Sequence, residues 1–153
     1  MIQQPTVSQP ARFLSKTEQP GRGAEPLRVT AWRDEPAMIV LYGIPNCDTV
    51  RKARAWLDAR DLPYRFHDLR KTGIPADRLD AWLAHCGWER LLNRQGATWR
   101  RLDAAAQGRV SNAIRAKGLM QAQPAIIKRP VVEWGNHVTV GFDPAAWTLL
   151  ARR

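Results

Sequence analysis

Hydrophobic and polar positions follow no sustained period over residues 1–37, whereas from residue 38 onward they fall into runs with a period of 2 or 3.6. MIVLYG (38–43) is a short β-rich apolar run closed by glycine and proline, the pattern of a buried parallel strand. Val50, Ala53, Trp56 and Leu57 then recur at helical spacing and predict an amphipathic helix over 49–60, stopped at Leu62-Pro63. YRFHDL (64–69) reads as a second strand, so strand, helix and strand form a βαβ unit with a right-handed crossover. From about 75 to 119 the spacing predicts helix throughout: PADRLDAWLAHCG, with Leu79, Trp82 and Leu83 on one face, then WERLLN, then DAAAQGRVSNAIRAKGL. PVVEW and HVTVGF follow as strands around Gly135-Asn136, a hairpin turn pair. DPAAWTLLARR closes the chain as a helix, with Asp143 as N-cap and Pro144 at the first helical position. This order predicts an α/β fold: a four-stranded mixed sheet with helices packed on it and a helical insertion in the middle. Trp56, Trp82 and Trp147 lie on apolar helix faces and are read as core.

The chain thus divides into an extension, 1–37, and one folded domain, 38–153. Five prolines and scattered polar residues mark the extension as disordered. Met38 directly precedes the first strand, so a start-site artefact is the competing reading of the extension. The extension carries a net charge of +1, leaving +9 of the total +10 on the folded part. That charge suits a small acidic substrate, and a solvated arginine-rich surface explains it without nucleic acid, which is not expected as a partner. No apolar run is long enough to cross a membrane and the start lacks a secretory layout, so the expected compartment is the cytoplasm. A reducing compartment also fits Cys47 and Cys86, whose contexts match neither a disulfide framework nor a metal site. His67, His85 and His137 show no ligand spacing, and no metal is expected.

Cys47 carries the candidate chemistry. A thiol attacks as thiolate, and a position at a helix start, where unpaired N–H groups and the dipole's positive end favour an anion, promotes that form. Arg51 and Lys52 add positive charge and Asp48 opposes them. The turn also lies at the carboxyl end of a parallel strand, where open α/β sheets hold ligands. Position alone leaves two readings open, a nucleophile or a small buried hydrophobe.

YGIPNCDTVRKARAWL, PYRFHDLRKTG, GWERLLNRQGATWRRL, QPAIIKRPVV and VGF together resemble the arsenate reductase (ArsC) family, in the family's order and over about three quarters of the chain, and most closely its YffB-like branch. The resemblance implies a thioredoxin-like fold with a helical insertion and a catalytic thiolate at Cys47. It implies that Pro130 is a cis-proline facing the cysteine and that Arg129 holds an anionic substrate through a bidentate guanidinium. The branch pattern further suggests a glutathione-dependent thiol reductase, with glutathione as co-substrate and glutaredoxin as a candidate protein partner.

The sequence departs from the arsenate pattern at three positions. Asn93, followed by Arg94, stands where the family has an arginine, Val140-Gly141 falls where another belongs, and Gly43 replaces a histidine. A single retained arginine makes a poor cage for an arsenate dianion. Arg94, Asn93 and Arg51 are the supporting binding candidates, and Thr98-Trp99-Arg100 either lines the cleft or supports its loop. Spx-type regulators share RKARAWL-like sequence but carry Cys-x-x-Cys, whose second position is Val50 here, so a local disulfide switch is excluded. Cys86, just before a helix-ending Gly87, reads as structural, with resolution of an oxidised Cys47 as the alternative. The expected function is a glutathione-dependent thiol/disulfide oxidoreductase with one nucleophilic cysteine. The alternatives are an arsenate reductase of the glutathione/glutaredoxin type and an Spx-like protein that binds the RNA polymerase α subunit.

Overall fold

A computed structural model describes residues 38–153. The expected disorder of 1–37 lies outside the described residues.

The apolar run at residue 38 forms strand β1 (Ile39–Gly43). After a turn comes α1 (Asp48–Asp58), which buries Val50, Ala53, Trp56 and Leu57, the face marked by helical spacing. Next is β2 (Tyr64–Asp68). It is shorter than expected, because Asp68 accepts N–H bonds from Arg70 and Lys71 and so starts a one-turn helix, α2 (Leu69–Thr72). The insertion comprises α3 (Ala76–Cys86), α4 (Trp88–Leu91), α5 (Ala97–Arg100), α6 (Ala104–Gly108) and α7 (Ala113–Ala122), then a 3₁₀ turn (Pro124–Ile126). The segment read as continuous helix, DAAAQGRVSNAIRAKGL, breaks between α6 and α7, where the Asn112 side chain accepts from the Arg115 N–H and caps a new helix. The chain ends with β3 (Val131–Trp134), β4 (His137–Val140) and α8 (Pro144–Ala151). Asp143 caps α8 through the Ala145 and Ala146 N–H groups.

The strands form one mixed sheet in the order β2-β1-β3-β4, with β1 parallel to β2 and antiparallel to β3. Side chains alternate between its faces. Ile39, Leu41, Val132 and Trp134 meet α1 and α8 in a cluster around Trp147. Val40, Tyr42, Val131, Val138 and Val140 meet the insertion, where Leu79, Trp82, Leu91, Leu92, Ala116, Met120, Ile126 and Ile127 are buried. The insertion is therefore the layer that covers the second face of the sheet. Trp82 and Trp147 are fully buried and Trp56 nearly so.

At the β4 edge, the C-terminal turn of α3 covers the backbone: the Val138 N–H donates to His85 Nε2 at 3.4 Å, and Cys86 Sγ lies 3.8 Å from the Val138 carbonyl. No helix among the described residues is long and apolar enough to cross a membrane.

Candidate active site

Cys47 occupies the N-cap position of α1 in an extended conformation (φ −96°, ψ 126°). Serine, threonine or aspartate at such a position usually spends a side-chain oxygen on the helix's first N–H groups. Here the Cys47 side chain makes no such bond, which leaves the helix's positive end for an anion. The turn is anchored by the Cys47 N–H bonded to the Ile44 carbonyl at 3.2 Å and the Arg51 N–H bonded to the Cys47 carbonyl at 2.9 Å. The Cys47 side chain is half-buried against the α1/α8 cluster. Arg51 is spent locally: its guanidinium pairs with Asp48 on the exposed side of the helix. Of the two opposing charges next to Cys47, each thus largely cancels the other.

Sheet register brings the second segment to this turn. Tyr42 pairs with Val131, so the residue before β3, Pro130, comes level with Gly43, where β1 hands the chain to the Cys47 turn. The Arg129-Pro130 peptide is cis. Pro130 is buried and Arg129 half-buried, with no ion pair to Arg129 among the described residues. A half-buried guanidinium without a carboxylate partner is a charge left available for a ligand. The third segment arrives through β4: the Gly141 N–H donates to the Pro130 carbonyl at 2.8 Å.

The insertion reaches the same place by a short ladder. Leu92 bridges Ile127 antiparallel, the Asn93 N–H donates to the Ile126 carbonyl, and the Lys128 N–H donates to the Leu91 carbonyl, both at 2.8 Å. Asn93 and Arg94 therefore sit beside the segment that runs into Arg129. The Asn93 side chain accepts the Gln95 N–H at 3.2 Å and shapes the turn. The Arg94 guanidinium lies 5.6 Å from the Trp88 ring centroid and 5.8 Å from that of Trp99.

Cys86 stands apart. It ends α3 at the β4 edge of the sheet, with its Sγ 3.8 Å from the Val138 carbonyl, and both thiols are free. Burial pushes the Cys86 thiol above its ordinary range, with Arg90 pulling weakly the other way. It lines a cavity of about 150 Å³ with Arg90, β4 and α8. Among the described residues no three His, Cys, Asp or Glu side chains gather as a metal would require.

Sequence reasoning missed Glu133. It is buried on β3 with Tyr42 donating to one oxygen at 3.1 Å and the Trp82 indole N–H to the other at 2.8 Å, and Arg78 lies 3.7 Å away. The signal was a lone acid inside the apolar run PVVEW, on the same strand face as Val131.

The ArsC family model matches residues 42–149. The chain belongs to the ArsC family. Among solved structures, this ArsC chain is similar to a YffB protein, with 46% sequence identity and a TM-score of 0.71 over 74% of this chain and 98% of that one. It is 34% identical over 106 residues to an uncharacterized protein of Haemophilus influenzae, covering 69% of this chain and 92% of the relative. It is also 25% identical over 108 residues to the global transcriptional regulator Spx of Listeria innocua, covering 69% of this chain and 81% of that protein. The sheet with its covering insertion is the ArsC-like form of the thioredoxin fold.

Two departures from the arsenate pattern and the one from the Spx pattern have a physical setting within this ArsC fold. A β-carbon at Gly43 would stand 2.7 Å from Val50 Cγ2, so a side chain there would force Val50 to shift. Gly141 has φ +83°, a backbone that rejects arginine. Val50, at the position of the second Spx cysteine, is fully buried in the α1/α8 cluster.

Proposed function

We propose that this protein is a glutathione-dependent thiol/disulfide oxidoreductase in which Cys47 is the nucleophile and Arg129 holds an anionic group of the substrate. The observation that carries the reading is Cys47 at the N-cap of α1 without a side-chain cap bond, with Arg129, which has no ion pair among the described residues, entering beside the end of the preceding strand.

The Cys47 thiolate attacks the glutathionyl sulfur of a mixed disulfide. The substrate S–S bond breaks, a Cys47–glutathione disulfide forms, and the released thiolate takes a proton from water. With valine and not cysteine at position 50, an external thiol reopens the intermediate. A second glutathione thiolate does so, yielding oxidised glutathione and Cys47 thiolate. One substrate disulfide is reduced and two glutathionyl sulfurs are joined, so electrons balance without metal or flavin. Glutaredoxin is an alternative thiol donor, and a reducing cytoplasm would sustain the cycle.

The experiment is turnover of a glutathionylated peptide by the full chain and by Cys47→Ser. Turnover should vanish in the variant, and undiminished turnover overturns the reading. Arsenate-dependent consumption of glutathione, which Gly43 and Gly141 weigh against, would move the substrate to arsenate instead.

Similarity to Spx supports a second reading, binding of the RNA polymerase α subunit without a thiol switch. Co-purification with that subunit, unchanged by Cys47→Ser, would establish it.

A further inference from the structure

The Asn93–Gly96 turn is built more firmly than a surface loop needs to be. The Gly96 N–H closes it on the Asn93 carbonyl at 3.3 Å, and a β-carbon at Gly96 would meet Asn93 Nδ2 at 2.8 Å. The ladder to 126–128 fixes it from behind. Gln107 fixes it from the side, donating to the Trp99 and Leu102 carbonyls at 2.9 and 3.2 Å and so seating α5. This scaffold sets Trp88 and Trp99 where both rings come within cation–π range of the Arg94 guanidinium. Both indoles pack partly against the insertion core, and Arg94 is exposed with no carboxylate partner among the described residues.

An exposed arginine ordinarily samples many rotamers and loses them on binding. One held within cation–π range of two rings has lost part of that freedom already, which is the arrangement expected of a preformed anion receptor. The ladder direction adds a spacing. Because Leu92 and Ile127 pair antiparallel, Arg94 and Arg129 leave from opposite ends. The two arginines therefore stand on opposite sides of the bridge. Two guanidiniums so placed suit a ligand with an anionic group at each end better than a compact tetrahedral oxyanion.

We propose that Trp88 and Trp99 are positioning residues that hold Arg94 as the second anion receptor of this site, and that Arg94 and Arg129 together take the two terminal carboxylates of an extended thiol peptide. The inference deepens the glutathione reading above and rests on it for the role of Arg129.

The test is calorimetric binding of S-methylglutathione, which has both carboxylates but no reactive thiol, compared with its diethyl ester. The full chain should bind the acid and bind the ester far more weakly. Arg94→Gln should weaken acid binding about tenfold or more, the loss of a charge-assisted bond. Trp99→Leu and Trp88→Leu should each weaken it about two- to fivefold, and Trp99→Phe, which keeps an aromatic face, should recover most of the loss. In an Arg94→Gln background, Trp99→Leu should cost nothing further, because the ring acts through the guanidinium. Equal binding of acid and ester, no binding of the acid, or additive Arg94 and Trp99 losses would each overturn the inference. Cys47 chemistry is absent from this assay, so its outcome is separate from that of the Cys47→Ser test.

Discussion

Gly43 and Val50 touch across the mouth of the Cys47 turn, and that contact joins two sequence features that look independent. Where the arsenate pattern has histidine and the Spx pattern has cysteine, this chain has a glycine and a valine that fill one space. Gly43→Ala should therefore destabilise by about 1–3 kcal/mol through overpacking, and Val50→Ala by a similar amount through loss of buried methyls. The double variant should lose less than the sum, since the added and removed methyls compensate; urea midpoints of the four proteins measure the coupling, and strict additivity would refute it. Residue-level placement was legible where one residue type dominates its setting, as with Cys47 at the start of an amphipathic helix. It was not legible where a partner distant in sequence decides, as with Glu133, whose face becomes interior only because α3 covers it.

The elements read from the sequence with most success were those long enough to show a period and bounded by breakers. The helix α1, the hairpin β3-β4 and α8 are of this kind. The helix α2 escaped because four residues make little more than one turn and present no repeat. The break at Asn112 escaped because alanine-rich sequence on both sides favours helix throughout, while the deciding feature is one side-chain amide accepting the Arg115 N–H at 3.0 Å. Asn112→Ala should cost about 1 kcal/mol in urea denaturation and speed amide exchange in the first turn of α7, and Asn112→Asp should retain the stability. Unchanged exchange would mean that tertiary packing alone sets the start of α7. The Asn93–Gly96 turn was visible as a loop, but the ring pair around Arg94 requires α4 and α5 to be placed in space.

For the molecule as a whole, Glu133 ties the insertion to the sheet: β1 contributes Tyr42, β3 the carboxylate, and α3 Trp82 and Arg78. Burial first, then the Glu133 carboxylate, raises the Tyr42 phenol well above its ordinary value of 10.0. The folded phenol holds its proton more tightly than the unfolded one. The stability it contributes is complete below pH 10 and is lost as pH rises beyond it toward the folded value. Urea midpoints should therefore fall between pH 9.5 and 11 in the native chain, and Tyr42→Phe, less stable at pH 8, should show a shallower fall; parallel curves would refute the linkage. The outer strand β4 gives the same two-layer design a further consequence. Its Val138 amide is occupied by His85, so the sheet ends in a hydrogen-bonded side chain and not in an open row of donors and acceptors. The imidazole thereby acts as a guard against strand-to-strand addition between copies. His85→Leu, which frees that amide while keeping the helix, should raise light scattering at high concentration before it lowers the melting temperature. The α3 turn would then protect the colloidal life of the chain as well as its fold.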